Sequence, residues 1–209
     1  MDKPLVTCIC PTRNRREFLP KAIACFLAQT YANRELVIIA DGEEGVADLV
    51  PASDRIRLMV SGWDLTIGEK RNIGCEAARG DAIAHWDDDD YSFPERLAAQ
   101  IERLQASRKA VTGYYAMKFT NGAHWWLYTG TPASALGTSL CYWRSWWLSR
   151  HFFPGRNIGE DSAFVAQAVR ENQFVADPDR GLMHGTIHAG NTISRVVSGP
   201  AWREIEARG

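Results

Sequence analysis

Four consecutive aspartates, Asp87 to Asp90, close the short apolar run Ala82-Ile83-Ala84-His85-Trp86 and stand directly before a helix signal. Adjacent anions repel one another, so such a cluster at the end of a buried strand makes sense chiefly where a cation is meant to sit. Oxygen-only ligands point to a hard divalent ion, Mg2+ or Mn2+. Held by one or two carboxylates, such an ion completes its shell with water and substrate phosphates, which implies a nucleotide or another diphosphate as ligand. The helix that follows is signalled by the capping-box spacing of Ser92 and Glu95, by Pro94 in a first turn, and by the apolar face Phe93, Leu97, Ile101 and Leu104. A solvated acidic loop is the bland alternative for a charge block, but a buried strand on one side and a packed helix on the other argue against it. In open α/β sheets ligands bind beyond the carboxyl ends of the strands, where these aspartates would lie.

The chain has 209 residues, enough for one domain with a substantial core. Its formal net charge of -1 gives no reason to expect a nucleic-acid partner. No apolar run is long enough to span a bilayer, and Met1-Asp2-Lys3-Pro4 does not lead into a signal-peptide core, so a cytoplasmic location is the default expectation. The cysteines, Cys8, Cys10, Cys25, Cys75 and Cys141, lack CxxC spacing and suggest neither a zinc site nor a disulfide framework. Cys8 and Cys10 read as small core residues on one side of a strand.

In chain order, Leu5 to Cys10 reads as a buried strand closed by a polar turn, Pro11-Thr12-Arg13-Asn14-Arg15, that should not belong to a sheet interior. A helix over about Arg16 to Thr30 and a strand over Glu35 to Ala40, ending at Asp41-Gly42, complete a βαβ unit. The right-handed crossover places the Thr12 loop and Asp41 side by side at one sheet edge. A weak strand, Arg55 to Val60, precedes a helix from about Gly68 to Arg79, with Lys70 and Arg71 in its first turns. Those two bases are either a solvated pair or, with the helix amides, a seat for an anionic group. Beyond Ser107 the segments Val111 to Tyr115 and His124 to Tyr128 are strand-like and aromatic. Trp125, Trp126, Trp143, Trp146 and Trp147 crowd the same region, as core, as interface or as a platform for a sugar acceptor. Glu160-Asp161 opens a helix with the buried stripe Phe164, Val165, Ala168 and Val169; one carboxylate suits the helix dipole and the other could act as a general base. The tail carries His184 and His188 in a strand-and-loop segment, either of which could complete a metal site.

Taken in order and spacing, these residues resemble a family 2 glycosyltransferase with the GT-A fold. The likeness rests on Pro11-Thr12-Arg13-Asn14-Arg15, Asp41-Gly42, Arg71-Asn72-Ile73-Gly74, Trp86-Asp87-Asp88-Asp89-Asp90, Glu160-Asp161 and His188 to Thr192. It implies an α/β chain forming a single GT-A-like domain with a mixed central sheet. Residues 1–107 would be a Rossmann-like nucleotide-sugar-binding half, and 108–209 the smaller acceptor-side and catalytic half. It further implies that Thr12, Asp41 and Arg71 hold the nucleotide, with Pro11, Arg13 and Lys70 beside them. Asp41 would lie on the base and Arg71 near the base or the diphosphate. Asp87-Asp88-Asp89 would be the DxD motif, with Asp87 on the ribose, Asp88 or Asp90 assisting, and Asp89 binding the metal together with His188. Asp161 would be the base, in an acidic pair with Glu160. At the second strand the chain departs from the family pattern, having Ala40-Asp41-Gly42 followed by Glu43-Glu44. The implied activity is metal-dependent transfer of a sugar from a nucleotide-diphosphate donor, a UDP-sugar, to the hydroxyl of a saccharide or glycan precursor, with inversion. The competing class is a non-catalytic nucleotide-sugar or carbohydrate-binding module on the same fold. A nucleotidyltransferase would want a glycine- and lysine-rich phosphate loop after the first strand, which Pro11-Thr12-Arg13-Asn14 is not.

Overall fold

A computed structural model describes residues 3–42, 45–192 and 197–206; Met1, Asp2, Glu43 and Glu44 lie outside the described residues. The elements run β1 (Val6–Arg13), α1 (Leu19–Leu27), β2 (Arg34–Asp41), β3 (Ile56–Val60), α2 (Ile67–Ala77), β4 (Ala82–His85) and β5 (Tyr91–Ser92). They continue with α3 (Arg96–Ser107), β6 (Val111–Thr120), β7 (Trp125–Thr129), β8 (Cys141–Trp143), α4 (Arg144–Leu148), α5 (Glu160–Arg170), β9 (Phe174–Pro178), β10 (Met183–Thr186) and β11 (Trp202–Ile205). One mixed sheet carries the order β11-β7-β6-β8-β4-β1-β2-β3. Its β3-β2-β1-β4 portion is parallel, and β8, β6, β7 and β11 extend it in antiparallel pairs. The strand order reverses between β1 and β4, and at such a reversal two loops splay apart and leave a crevice.

Strand alternation sorts the core onto the two faces. Cys8, Cys10, Leu36 and Ile38 pack on one face with Leu19, Phe26, Leu97, Ile101 and Leu104. Ile9, Val37, Ile39 and Ile83 pack on the other with Tyr142, Trp146, Trp147, Phe164 and Val165. Cys8 and Cys10 are therefore buried on one side, as their spacing predicts. The tryptophan-rich span divides: Trp146 and Trp147 are buried, whereas Trp125, Trp126 and Trp143 are half-buried.

Two sequence expectations are corrected. The segment Pro11-Thr12-Arg13 is strand, paired through Pro11 with Ile39, Thr12 with Ala40 and Arg13 with Asp41. Ile9 presents its carbonyl to Trp86 N (2.8 Å), so Pro11, two residues on, faces the same side, beyond the end of β4 at His85. Its missing N–H therefore breaks no ladder bond. Secondly, Ser92 and Glu95 form no capping box. Tyr91 and Ser92 pair instead with His184 and Met183 of β10, and α3 starts at Arg96 without a side-chain cap. A capping box does form at Thr66 and Glu69, at the head of α2.

The Ser92 hydroxyl serves another partner. Arg96, 1% exposed, donates to Ser92 Oγ (2.8 Å), His85 O (2.8 Å), Thr138 O (2.9 Å) and Gln100 Oε1 (3.2 Å), and its guanidinium lies 5.0 Å from the Trp86 ring. One buried cation thus ties the end of β4, β5 and the 137–139 turn behind the acidic segment. Arg96→Met keeps most of the stem but strands two buried carbonyls, and should cost about 2–4 kcal/mol of stability. Urea denaturation checks this: a loss below about 1 kcal/mol would mean that the guanidinium is not what holds these segments.

Candidate active site

The crevice at the β1/β4 reversal is a cleft of about 560 Å3, walled by the end of β1, the head of α2, the Asp87–Asp90 turn, residues 137–138, the head of α5 and residues 188–192. Each wall is placed by a short-range reason. Gly74 in α2 lets the helix close on the sheet, because a Cβ there would meet Ile9 Cγ2 at 2.8 Å and Ile39 Cδ1 at 3.0 Å. Asn72 fixes the α4 side: its Oδ1 accepts from Trp147 Nε1 (3.0 Å) and Phe153 N (2.9 Å), and its Nδ2 donates to Phe153 O (2.8 Å). Gly159 enters α5 with φ of 74°, a left-handed conformation that glycine adopts without strain.

The four aspartates are held in four different ways. Asp87 lies 3.5 Å from Arg71, and its Oδ1 is buried with no hydrogen-bond partner among the described residues. Asp88 accepts from Thr12 Oγ1 (2.7 Å) and Arg15 Nη1 (3.1 Å). Asp89 Oδ2 accepts from His188 Nε2 (3.0 Å), Arg15 Nη1 (3.2 Å) and Asn191 Nδ2 (3.3 Å). Asp90 accepts from Thr186 N at 2.9 Å. Burial raises the Asp87 carboxyl above its ordinary range. Burial, then the neighbouring Asp89, pushes Asp88 up to about 6 and Asp90 up to about 8. The neutral form of Asp90 is thereby favoured, which relieves part of the repulsion.

Lys70 and Arg71 are not a solvated pair. Lys70 is buried in an ion pair with Asp41 and donates to Thr12 O (3.1 Å). Arg71 is buried in an ion pair with Glu160. Burial alone would lower the Arg71 guanidinium, but Asp87, Glu160 and Asp161 outweigh it and raise it. Asp41 stands one layer behind the cleft wall, its side chain enclosed by Lys70 and by Leu65 N (2.7 Å). Arg13 is at the mouth, 2.6 Å from Asp64 and 3.8 Å from Asp41. Pro11, Thr12, Lys70, Arg71, Glu160 and Asp161 all line the cleft. Asp161 accepts from the amide of Ser162 (2.6 Å) and leans over Gly137, where a Cβ would collide with its carboxylate. No tryptophan is among the lining residues, so the tryptophan span supplies no platform inside this cleft.

Of the two tail histidines, His188 joins the acidic turn and packs on Phe18 (ring centroids 4.4 Å apart). His184 stacks on Tyr91 at 4.9 Å, outside the cleft lining. Sequence reading did not single out Arg15, Asn191, Gly137 or Thr138. The first two stood within quoted motifs, and the aspartates they hold lie 73 to 102 residues away in the chain, a separation no local pattern encodes.

Among the described residues no three His, Cys, Asp or Glu side chains converge as a ligand set. Asp89 and His188 make two, beside Asp87 Oδ1, which faces Arg71 at 3.5 Å without a hydrogen bond. This donor chemistry fits Mg2+ or Mn2+ bound through one or two protein groups and a substrate phosphate, and it does not fit an all-protein cage.

A mixed α/β sheet with an acidic turn at its switch point is thus the class defined by sheet and cleft. The family model described as Glycosyl transferase family 2 matches residues 7–169, and the chain belongs to that family. An "Uncharacterized glycosyltransferase" of Haemophilus influenzae is 31% identical over 122 residues, covering 56% of this chain and 49% of that relative. The chain spans about half the length of that relative. TarS of S. aureus in complex with UDP-GlcNAc superposes with a TM-score of 0.74 at 17% identity, over 90% of this chain and 60% of that one. Mannosyltransferase PcManGT of Pyrobaculum calidifontis, in complex with GDP-Man and Mn2+, gives a TM-score of 0.72 at 14% identity, over 92% and 59%. Among the described residues no helix is long and apolar enough to cross a membrane.

His184 gives a pH signature separable from the cleft. Burial, then Lys21 and Lys118, lower its imidazole to about 4. An unfolded histidine takes up its proton near pH 6.5, so between there and pH 4 the unfolded chain binds more protons and stability falls with pH; above pH 6.5 the group contributes nothing. His184→Phe, which retains the stack on Tyr91, should flatten this acid slope in urea titrations. An unchanged slope relative to wild type would contradict the assignment.

Proposed function

We propose that this chain catalyses metal-dependent transfer of a sugar from a nucleotide-diphosphate donor, a UDP-sugar, to an acceptor hydroxyl, with inversion. The observation that carries the reading is the convergence of Asp161, Arg71 and the Asp89–His188 pair on one cleft. Residues 1–107 would supply the donor subsite and 108–209 the acceptor subsite and the base. In the reaction, Asp161 takes the acceptor proton while the new bond to the anomeric carbon forms and the bond to the diphosphate oxygen breaks. A single base on the face opposite the leaving group gives inversion. Asp89 and His188 would hold Mn2+ or Mg2+, whose charge neutralises the departing diphosphate. Arg71 adds a fixed positive charge that is already oriented by Glu160 before the donor arrives. Thr12 orients Asp88 through its hydroxyl and Lys70 through its carbonyl, so the donor wall is braced from the end of β1. Asp41 acts on the base side through Lys70 and Arg13. The acceptor would be a saccharide or glycan precursor.

The roles separate experimentally. With UDP-GlcNAc and Mn2+ as probes, Asp161→Asn should bind donor within about threefold of wild type yet lose about 10²–10⁴ in UDP release. Asp89→Ala should lose metal-dependent donor binding. Gly137→Ala, whose new methyl displaces the Asp161 carboxylate, should resemble Asp161→Asn rather than Asp89→Ala. Equal loss of donor affinity in the Asp161 and Asp89 variants would sink this division of labour.

A further inference from the structure

The guanidinium of Arg15 sits where the acidic turn needs a cation. Its Nη1 lies 3.1 Å from Asp88 Oδ1 and 3.2 Å from Asp89 Oδ2, and its Nη2 donates to the Gly190 carbonyl. Asp89 Oδ2 is thereby shared by three donors, because His188 Nε2 and Asn191 Nδ2 also approach it, at 3.0 and 3.3 Å. A carboxylate oxygen offers about two lone-pair sites, so Oδ2 has none left for a metal. His188 is closed in the same way. The Gly190 amide donates to its Nδ1 (3.1 Å), which places the ring proton on Nε2, the nitrogen directed at Asp89. Asp89 Oδ2 and His188 Nε2 are thus engaged with each other, and the residue that engages Asp89 with a full charge is Arg15.

We infer that Arg15 is the counter-ion of the acidic turn in the donor-free protein, and that it exchanges with the divalent ion by moving onto the donor diphosphate. Metal and nucleotide then bind as a linked pair. The inference rests on the reading that Asp89 and His188 hold the ion. The ion would bind the carboxylate on which Arg15 already rests, within a few ångströms of the guanidinium, so an ion arriving alone meets that charge and displaces Arg15 from its anionic partners with nothing in return. An ion arriving with a diphosphate offers the guanidinium a phosphate that it can grip through two N–H bonds. Arg15 is suited to such a move: it lies on the loop after β1, its side chain is 21% exposed, and it lines the same cleft. Its departure also frees the Gly190 carbonyl, which loosens the turn that carries His188 and the Gly190 amide; with that amide off Nδ1 the ring proton moves to Nδ1, and Nε2 becomes a ligand. By thermodynamic linkage the coupling is reciprocal: whatever the nucleotide adds to metal affinity, the metal adds to nucleotide affinity.

Calorimetric titration of the full chain tests this, with Mn2+ alone, UDP with EDTA, and Mn2+ with saturating UDP, for wild type, Arg15→Gln and Arg15→Lys. In wild type, UDP should raise Mn2+ affinity by about tenfold or more, within the usual range of coupling. Arg15→Gln should bind Mn2+ alone about tenfold more tightly than wild type and lose most of that coupling. Arg15→Lys keeps a charge without the planar fork, so it should fall between the two and gives the same comparison should the glutamine variant fold poorly. Unchanged or weakened binding of Mn2+ alone in both variants would overturn the exchange. UDP binding that is equal with EDTA and Mn2+ but lost in Arg15→Gln would also overturn it, by making Arg15 a permanent substitute for the ion while leaving the donor site intact. If wild type binds neither Mn2+ nor UDP in any combination, the donor-site reading itself fails, and the inference with it.

Discussion

Mutual repulsion of four carboxylates in a row is the constraint on which this architecture turns. The chain meets it by giving each aspartate a different environment. Arg71 faces Asp87, Thr12 and Arg15 hold Asp88, and Arg15, His188 and Asn191 share one oxygen of Asp89. Asp90 is buried against the Thr186 amide, and burial together with Asp89 raises its carboxyl and favours the neutral form. These partners come from the ends of β1 and β10, the head of α2 and the loop after β10. The electrostatic cost of the turn is therefore also what draws remote segments to one place. Arg96 completes the arrangement from behind by fixing the backbone on either side.

Short motifs were legible wherever their reason is local. Arg71-Asn72-Ile73-Gly74 shows why such a run has its spacing. Within one helical turn Arg71 reaches the cleft, Asn72 pins Trp147 and Phe153, and Gly74 lets the helix settle on Ile9 and Ile39. The βαβ opening, the paired placement of Cys8 and Cys10, and the carboxylate turn at the sheet's switch point were likewise readable from alternation and charge. Tertiary competition was not. Ser92 has perfect capping spacing, yet strand pairing with β10 and the Arg96 guanidinium claim it. Pro11 looks like a strand breaker until β4 is known to stop one step earlier. Arg15 reads as part of a polar turn, and only the fold reveals that aspartates more than seventy residues away require it.

The catalytic half is organised by contacts that sequence could not rank. Glu160 and Asp161 are adjacent on α5 but do different things: Glu160 is buried against Arg71, while Asp161 stands over Gly137, which has no Cβ to collide with its carboxylate. His184 and His188 are four residues apart, yet strand β10 carries the first into an aromatic stack and the turn after it delivers the second to Asp89. The tryptophans suggested an acceptor platform by composition alone. Burial assigns Trp146 and Trp147 to the core, which is where Asn72 fastens the cleft wall.

The central claim is that the acidic turn receives a nucleotide diphosphate together with a divalent ion. Calorimetric titration of the purified chain with UDP, GDP and dTDP, each with Mn2+ and again with a chelator, tests it most directly. The account predicts that UDP binds in the presence of Mn2+ and that chelation abolishes or sharply weakens that binding. Failure of every nucleotide to bind under either condition would contradict it.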